Sequence, residues 1–241
     1  LSAGEAAIEK LDVVRGIWNL YLNYGMRRLL LGGAVQPQNP IILGPVHTLH
    51  LPNGNPIDNF IWTEPFRTAN PPVKDVLQQY QRLKKFERNV RERLRDVSFR
   101  PALFGLLVRY ARALDEHDST AAFLKLWSIL EDLTATSRYD RTIRRAAFLW
   151  EDSGYARLEL DHLRTWRNRL THDGATTNES DHFLQQLRLY AEHLLLFLVM
   201  NASQFNDLGE FGVFLNLPKS RQALTRRTNQ AKLAHDLFAA R

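Results

Sequence analysis

The sequence predicts a mainly α-helical chain with one small β-hairpin near its N-terminus. Two observations carry this. After Val73 the apolar residues recur at helical spacing in segment after segment. Only between Ala34 and Phe66 does the period shorten, around a Pro52-Asn53-Gly54-Asn55-Pro56 turn of the kind that joins two strands.

Residues 3–31 begin the chain with a helix whose apolar positions are Ile8, Leu11, Val14, Ile17, Trp18, Tyr21 and Leu22, continuing to Leu29 and Leu31. Gly32-Gly33 stops it, as glycine past a helix end does. Ile41 to Leu51 reads as extended and Ile57 to Thr63 as its returning strand, closed by Asn70-Pro71-Pro72, the best candidate boundary. The chain therefore divides into residues 1–70, of unassigned role, and a helical region, 71–241, with a core of about 100–205. Within the second part, helices are expected at about 73–97, 99–116, 120–136, 140–150, 155–172 and 179–205. Asp118-Ser119 supplies an N-cap pair for the third of these. The last stretch, 207–241, holds the short apolar run Val213-Phe214-Leu215 and then a basic amphipathic helix.

With 241 residues, 44% of them hydrophobic and 24% charged, the chain can bury a sizeable core and is not of disordered composition. It contains no cysteine, which excludes a disulfide scaffold, a Cys-based zinc site and a thiol nucleophile, and which suits the cytoplasm. No stretch reaches the roughly 18 apolar residues that span a bilayer, so no membrane partner is expected. The start at Leu1 without a visible signal peptide points to a processed or excised chain.

A net charge of +6 biases the chain toward polyanions, and its distribution says more. Basic blocks lie at 82–95, at 138–145 with 164–169, and at 219–232. In the first, Lys84, Lys85 and Arg88 are candidates for an RNA-backbone track, although such a block is more often a solvated helix face.

Chemistry concentrates in Arg164-Thr165-Trp166-Arg167-Asn168-Arg169-Leu170-Thr171-His172-Asp173-Gly174. At about 100° per residue, Arg164, Asn168 and His172 share one helix face, whereas Arg167 lies about 140° from His172. Asp173-Gly174 is a turn signal, so the last turn is expected to loosen and bring Arg167 and His172 together. RNA carries its own nucleophile, the 2′-hydroxyl, beside each phosphate. A protein that cleaves it needs proton transfer, which suits histidine, and a fixed cation for the phosphorane, which suits arginine; no metal or other cofactor is required. A helix C-terminus favours protonated imidazole, which points to His172 as acid. The same dipole also draws arginine and histidine to helix ends with no catalytic role. Glu131 follows Phe123 and Trp127 at i+4 steps and wants a cationic partner, either Arg167 or His172 or a purely structural arginine. Trp127, Trp150 and Trp166 read as core. His47 and His50, on opposite faces of a strand, do not share a metal. His182 and His193 lack a third ligand.

Arg167-Asn168-Arg169-Leu170-Thr171-His172 is an Arg-Asn-x-x-x-His string that resembles the motif of HEPN (higher eukaryotes and prokaryotes nucleotide-binding) ribonucleases. Tyr110 to Asp115, followed by Ala122 to Glu131 with its Leu-Trp-x-x-Leu-Glu pattern, is similar to the ApeA-like branch of that superfamily. The resemblance implies a HEPN-like helical bundle that dimerises, places two motif copies across a shared groove and cleaves RNA without metal, as a defence or toxin effector. It implies that Arg167 contacts phosphate, His172 carries the proton chemistry and Asn168 orients the pair, with Arg164 and Arg169 as further RNA contacts. Two other readings stay open: a non-catalytic helical module binding RNA, a nucleotide or a protein, and a dimerisation or regulatory segment of a longer protein.

Overall fold

The structure, a computed structural model, describes residues 2–26, 39–41, 43–44, 46–63, 76–173 and 180–239. Among these, α1 (Ser2–Met26) comes first, then a hairpin of β1 (Val46–His50) and β2 (Pro56–Thr63). Helices α2 (Val76–Arg93), α3 (Arg100–Asp115), α4 (Ser119–Leu133) and α5 (Tyr139–Ala146) follow. The chain continues through α6 (Ser153–Asp173), α7 (Ser180–Asn201), a 3-10 turn (Ala202–Gln204), α8 (Leu208–Phe214) and α9 (Arg221–Ala239). The expected mainly helical fold with a small hairpin is the fold observed. No described helix is long and apolar enough to cross a membrane.

Local chemistry explains the elements. Asp118 caps α4, its carboxylate accepting from Thr120 N and Ala121 N at 3.1 Å each. Gly54, at φ +87°, makes the Asn53-Gly54 turn, and the strands pair antiparallel with Thr48 opposite Ile61 and His50 opposite Pro56. Helix α5 is shorter than expected, ending at Ala146, after which the chain turns through Phe148 and Trp150. The apolar run at 213–215 belongs to α8 and its C-cap. The expected stops at Gly32-Gly33 and Asn70-Pro71-Pro72 lie outside the described residues.

The core forms where α4 packs on α7 and α1 on α3. Phe123, Leu126, Trp127 and Leu130 of α4 and Leu187, Leu194, Leu195 and Leu198 of α7 are all buried. Each such large apolar side chain contributes about 1.5–3 kcal/mol on burial.

Helix α1 contributes to this core, where Val13, Ile17 and Leu20 lie with residues of α3, α4 and α7. Its inward face is not the purely apolar seam expected. Leu11 is half exposed, while Asp12, Arg15, Asn19 and Asn23 are buried, at helical spacing. Arg15 pairs with Asp12 at 2.7 Å and Asp115 at 2.5 Å, and Arg112 reaches Asp12 at 2.8 Å. Deeper in, Asn23 Nδ2 donates to Tyr110 OH at 3.0 Å and to Glu192 Oε1 at 2.8 Å. Tyr110 donates to the same carboxylate at 2.5 Å, and Arg188 lies 3.4 Å from it.

Gly16 lets α1 approach α3 closely: a Cβ there would lie 2.5 Å from the Leu107 carbonyl oxygen, against rigid helix backbone. Gly16→Ala therefore overpacks the α1–α3 contact and should cost about 1–3 kcal/mol in urea unfolding. A second expectation concerns alkali. Burial, with Glu192 beside Tyr110 and a Glu159 hydrogen bond on Tyr190, raises both phenols above their ordinary pKa of 10.0. Their contribution to stability is complete below that value and is lost as pH rises beyond it, because the folded state holds the protons longer. Urea midpoints measured from about pH 8 to 11 should fall, and fall less in Tyr190→Phe.

Candidate functional site

The motif sits on the last turns of α6, whose buried stripe is Ala156, Leu160, Leu163, Trp166 and Leu170. This stripe seats α6 against α4, α5 and α7, with Trp166 and Phe183 rings 5.0 Å apart and Tyr190 OH donating to Glu159 at 2.5 Å. Position 167 falls inside the stripe, four residues after Leu163 and three before Leu170. The half-buried Arg167 side chain therefore turns along the core edge, where Nη1 donates to Tyr139 OH at 2.7 Å and the guanidinium lies 5.5 Å from that ring's centre. Its Nε is buried without a hydrogen-bond partner.

Behind Tyr139 the polar contacts continue. The Tyr139 and Trp127 rings meet edge to face at 6.3 Å, and Trp127 Nε1 donates to Glu131 Oε1 at 2.9 Å. Glu131 and Arg167 thus lie at two ends of one aromatic run. Among the described residues Glu131 is held by this indole and not by Arg167 or a structural arginine, and a contact with His172 lies outside them. Tyr139 was missed by sequence reasoning. Its only advance signal is its place as the first residue of α5, one position after Arg138.

The expected loosening of the last turn is not seen: α6 remains α-helical through Asp173. Regular geometry keeps positions 167 and 172 about 140° apart around the helix, while the expected pairing of Arg167 with the His172 side chain lies outside the described residues. Positions 164, 168 and 172 run in a line on the side turned away from the stripe, with 172 about 180° from Leu163. Arg164 Nε lies 3.0 Å from Asp161, and Thr171 Oγ1 donates to the main-chain carbonyl of Asn168 at 2.9 Å. Arg169 is exposed. The His172 side chain and the Gly174 cap lie outside the described residues.

The remaining candidates lie elsewhere. Lys84, Lys85 and Arg88 are exposed on α2, which packs on α1 and α7. Lys84 lies 4.7 Å above the Tyr80 ring, and a hydrogen bond with Tyr80 raises its pKa, which keeps the ammonium charged. Arg88 faces Glu92 at 4.0 Å. In the 138–145 block, Arg145 serves the fold: it is buried and donates to the Thr134 carbonyl at 2.5 Å. Among the described residues no three His, Asp or Glu side chains converge as a metal ion needs.

Tyr139→Phe removes the bond to Arg167 but keeps the ring beneath the guanidinium. It should lower stability by about 0.5–1.5 kcal/mol in urea unfolding. Tyr139→Ala, which removes both contacts and leaves a gap beside Trp127, should cost more. No family model, curated protein or solved structure matches the chain.

Proposed function

We propose that the chain is a metal-independent endoribonuclease of HEPN type that works as a homodimer with a composite site. The single observation that carries this is the regular α6 helix, which lines up positions 164, 168 and 172 on its outward side near its end. A cation, an amide and an imidazole in that order supply phosphate binding, orientation and proton transfer. One copy does not complete the site, because Arg167 faces the core edge and position 172 the opposite side. A second copy packed across the end of α6 brings its own Arg167 to a phosphate that sits beside position 172 of the first. Attack by the 2′-hydroxyl then forms a new P–O2′ bond and breaks the P–O5′ bond, leaving a 2′,3′-cyclic phosphate and a 5′-hydroxyl. The exposed cations of α2 add sequence-independent affinity for the RNA backbone. A cytoplasmic defence or toxin effector fits this activity and the absence of cysteine.

The half-buried placement of Arg167 against Tyr139 favours a second reading, in which the motif is a structural element of a non-catalytic RNA-binding module. Incubation of end-labelled RNA with the intact chain and a chelator separates the two. The enzyme should yield cyclic-phosphate ends, and His172→Ala should slow cleavage by about 10²–10⁴-fold with the helical spectrum unchanged. Mixing Arg167→Ala with His172→Ala chains should restore part of the rate, since a mixed dimer retains one complete site. RNA bound without scission, equally well after His172→Ala, supports the binding module and ends the enzymatic reading.

A further inference from the structure

Away from the end of α6, a crevice of about 290 Å³ opens between the last turn of α5, the start of α6 and the segment joining α8 to α9. Three cations from three separate elements line it: Arg144 of α5, Arg157 of α6 and Lys219 of the connection. Its other wall is apolar, with Phe148, Leu215 and Pro218. The turn after Ala146 folds the chain back to form the crevice, and Asn216 holds it open by accepting from Arg144 Nη2 and Arg145 Nε at 3.2 Å each. Lys219 donates to the main-chain carbonyls of Trp150 and Glu151, which brings its ammonium to the mouth.

The charges here are unbalanced. Among the described residues none of Arg144, Arg157 and Lys219 pairs with a carboxylate, whereas Arg15, Arg91, Arg109 and Arg112 each do. Nearby acids are engaged elsewhere: Asp152 accepts from Tyr155 N at 2.9 Å as a cap of α6, Glu159 accepts from Tyr190, and Asp161 lies beside Arg164. Burial together with the neighbouring Arg141 and Arg144 lowers the pKa of Arg145, so this corner of the molecule is crowded with positive charge. Two planar guanidinium forks and an ammonium suit the oxygens of a phosphate, while an aromatic and aliphatic wall suits a flat apolar body. A volume near 300 Å³ is at the lower end for small-molecule sites.

We propose that this crevice binds a nucleotide, its phosphate on Arg144, Arg157 and Lys219 and its base against Phe148 and Pro218. The ligand is either a free nucleotide or the 5′-phosphorylated end of an RNA strand, which share this chemistry. The site lies at the start of α6, away from the motif at its end, so it does not rest on the ribonuclease reading.

Calorimetry of the intact chain with AMP, ATP and inorganic phosphate tests the proposal, alongside anisotropy of a short RNA carrying either a 5′-phosphate or a 5′-hydroxyl. Binding by AMP or ATP, with phosphate competing, is expected, and Arg144→Ala/Arg157→Ala should weaken it by about tenfold or more. Both side chains are exposed, so the double variant should keep the wild-type helical spectrum and urea midpoint. Preference for the 5′-phosphorylated RNA over free nucleotides, lost in the same variant, assigns the site to a strand end. Absence of binding by every probe, or binding unchanged in the variant, overturns the proposal.

Discussion

Charge buried between α1, α3 and α7 is the constraint on which the rest of the structure depends. Asp12, Arg15, Arg188 and Glu192 are each at most 4% exposed, and a charge in that position is tolerable only with a partner in place. Removing one member of such a pair costs about 3–5 kcal/mol, so the seam penalises every other register of α1. A purely apolar α1 would have many near-equivalent seats on the bundle. With Asn23 tied to both Tyr110 and Glu192, and Arg15 to Asp115, it has one. Gly16 then sets how close that seat is.

From this anchored frame, α7 presents the surface on which α6 settles, and the settling decides which motif residues face outward. Arg167 occupies a core position by sequence period and is accommodated there through Tyr139, while positions 164 and 168 lie on the half-exposed side of the helix. One side of the string thus serves packing, and the other is the side that the proposed chemistry uses. The aromatic run from Arg167 through Tyr139 and Trp127 to Glu131 ties the end of α6 to the centre of α4. A shift in α4 packing is therefore felt at the motif without any direct contact between Glu131 and the arginine.

Much of the helical layout was legible in the sequence. The period of Leu103, Leu106, Leu107 and Leu114 marked α3, Asp118 marked the start of α4, and Asn53-Gly54 marked the hairpin. The inward face of α1 was not legible. Periodicity is read from apolar residues, and here the buried side alternates Val13, Ile17 and Leu20 with Asp12, Arg15, Asn19 and Asn23. Several partners that satisfy those polar groups are distant in sequence, 169 positions for Asn23 with Glu192 and 100 for Arg15 with Asp115, and local pattern carries no sign of them. At the motif, the position of each residue around the helix was readable from a period of about 3.6 residues. The straightness of the last turn was not, because a turn signal after a helix does not tell how far the helix persists. Tyr139 was hidden for the same reason as Glu192: its role comes from tertiary proximity.

Helix α9 stands apart from this economy of buried contacts, for it buries no residue along its 19 positions. A helix of that length without a supporting surface is close to the coil in free energy, so its order rests on its own backbone propensities. Its amides therefore exchange with solvent through local fraying rather than through unfolding of the bundle. Substitutions along α9 are correspondingly cheap for folding, and its exposed Leu233, Leu237 and Phe238 add nothing to the stability of the core.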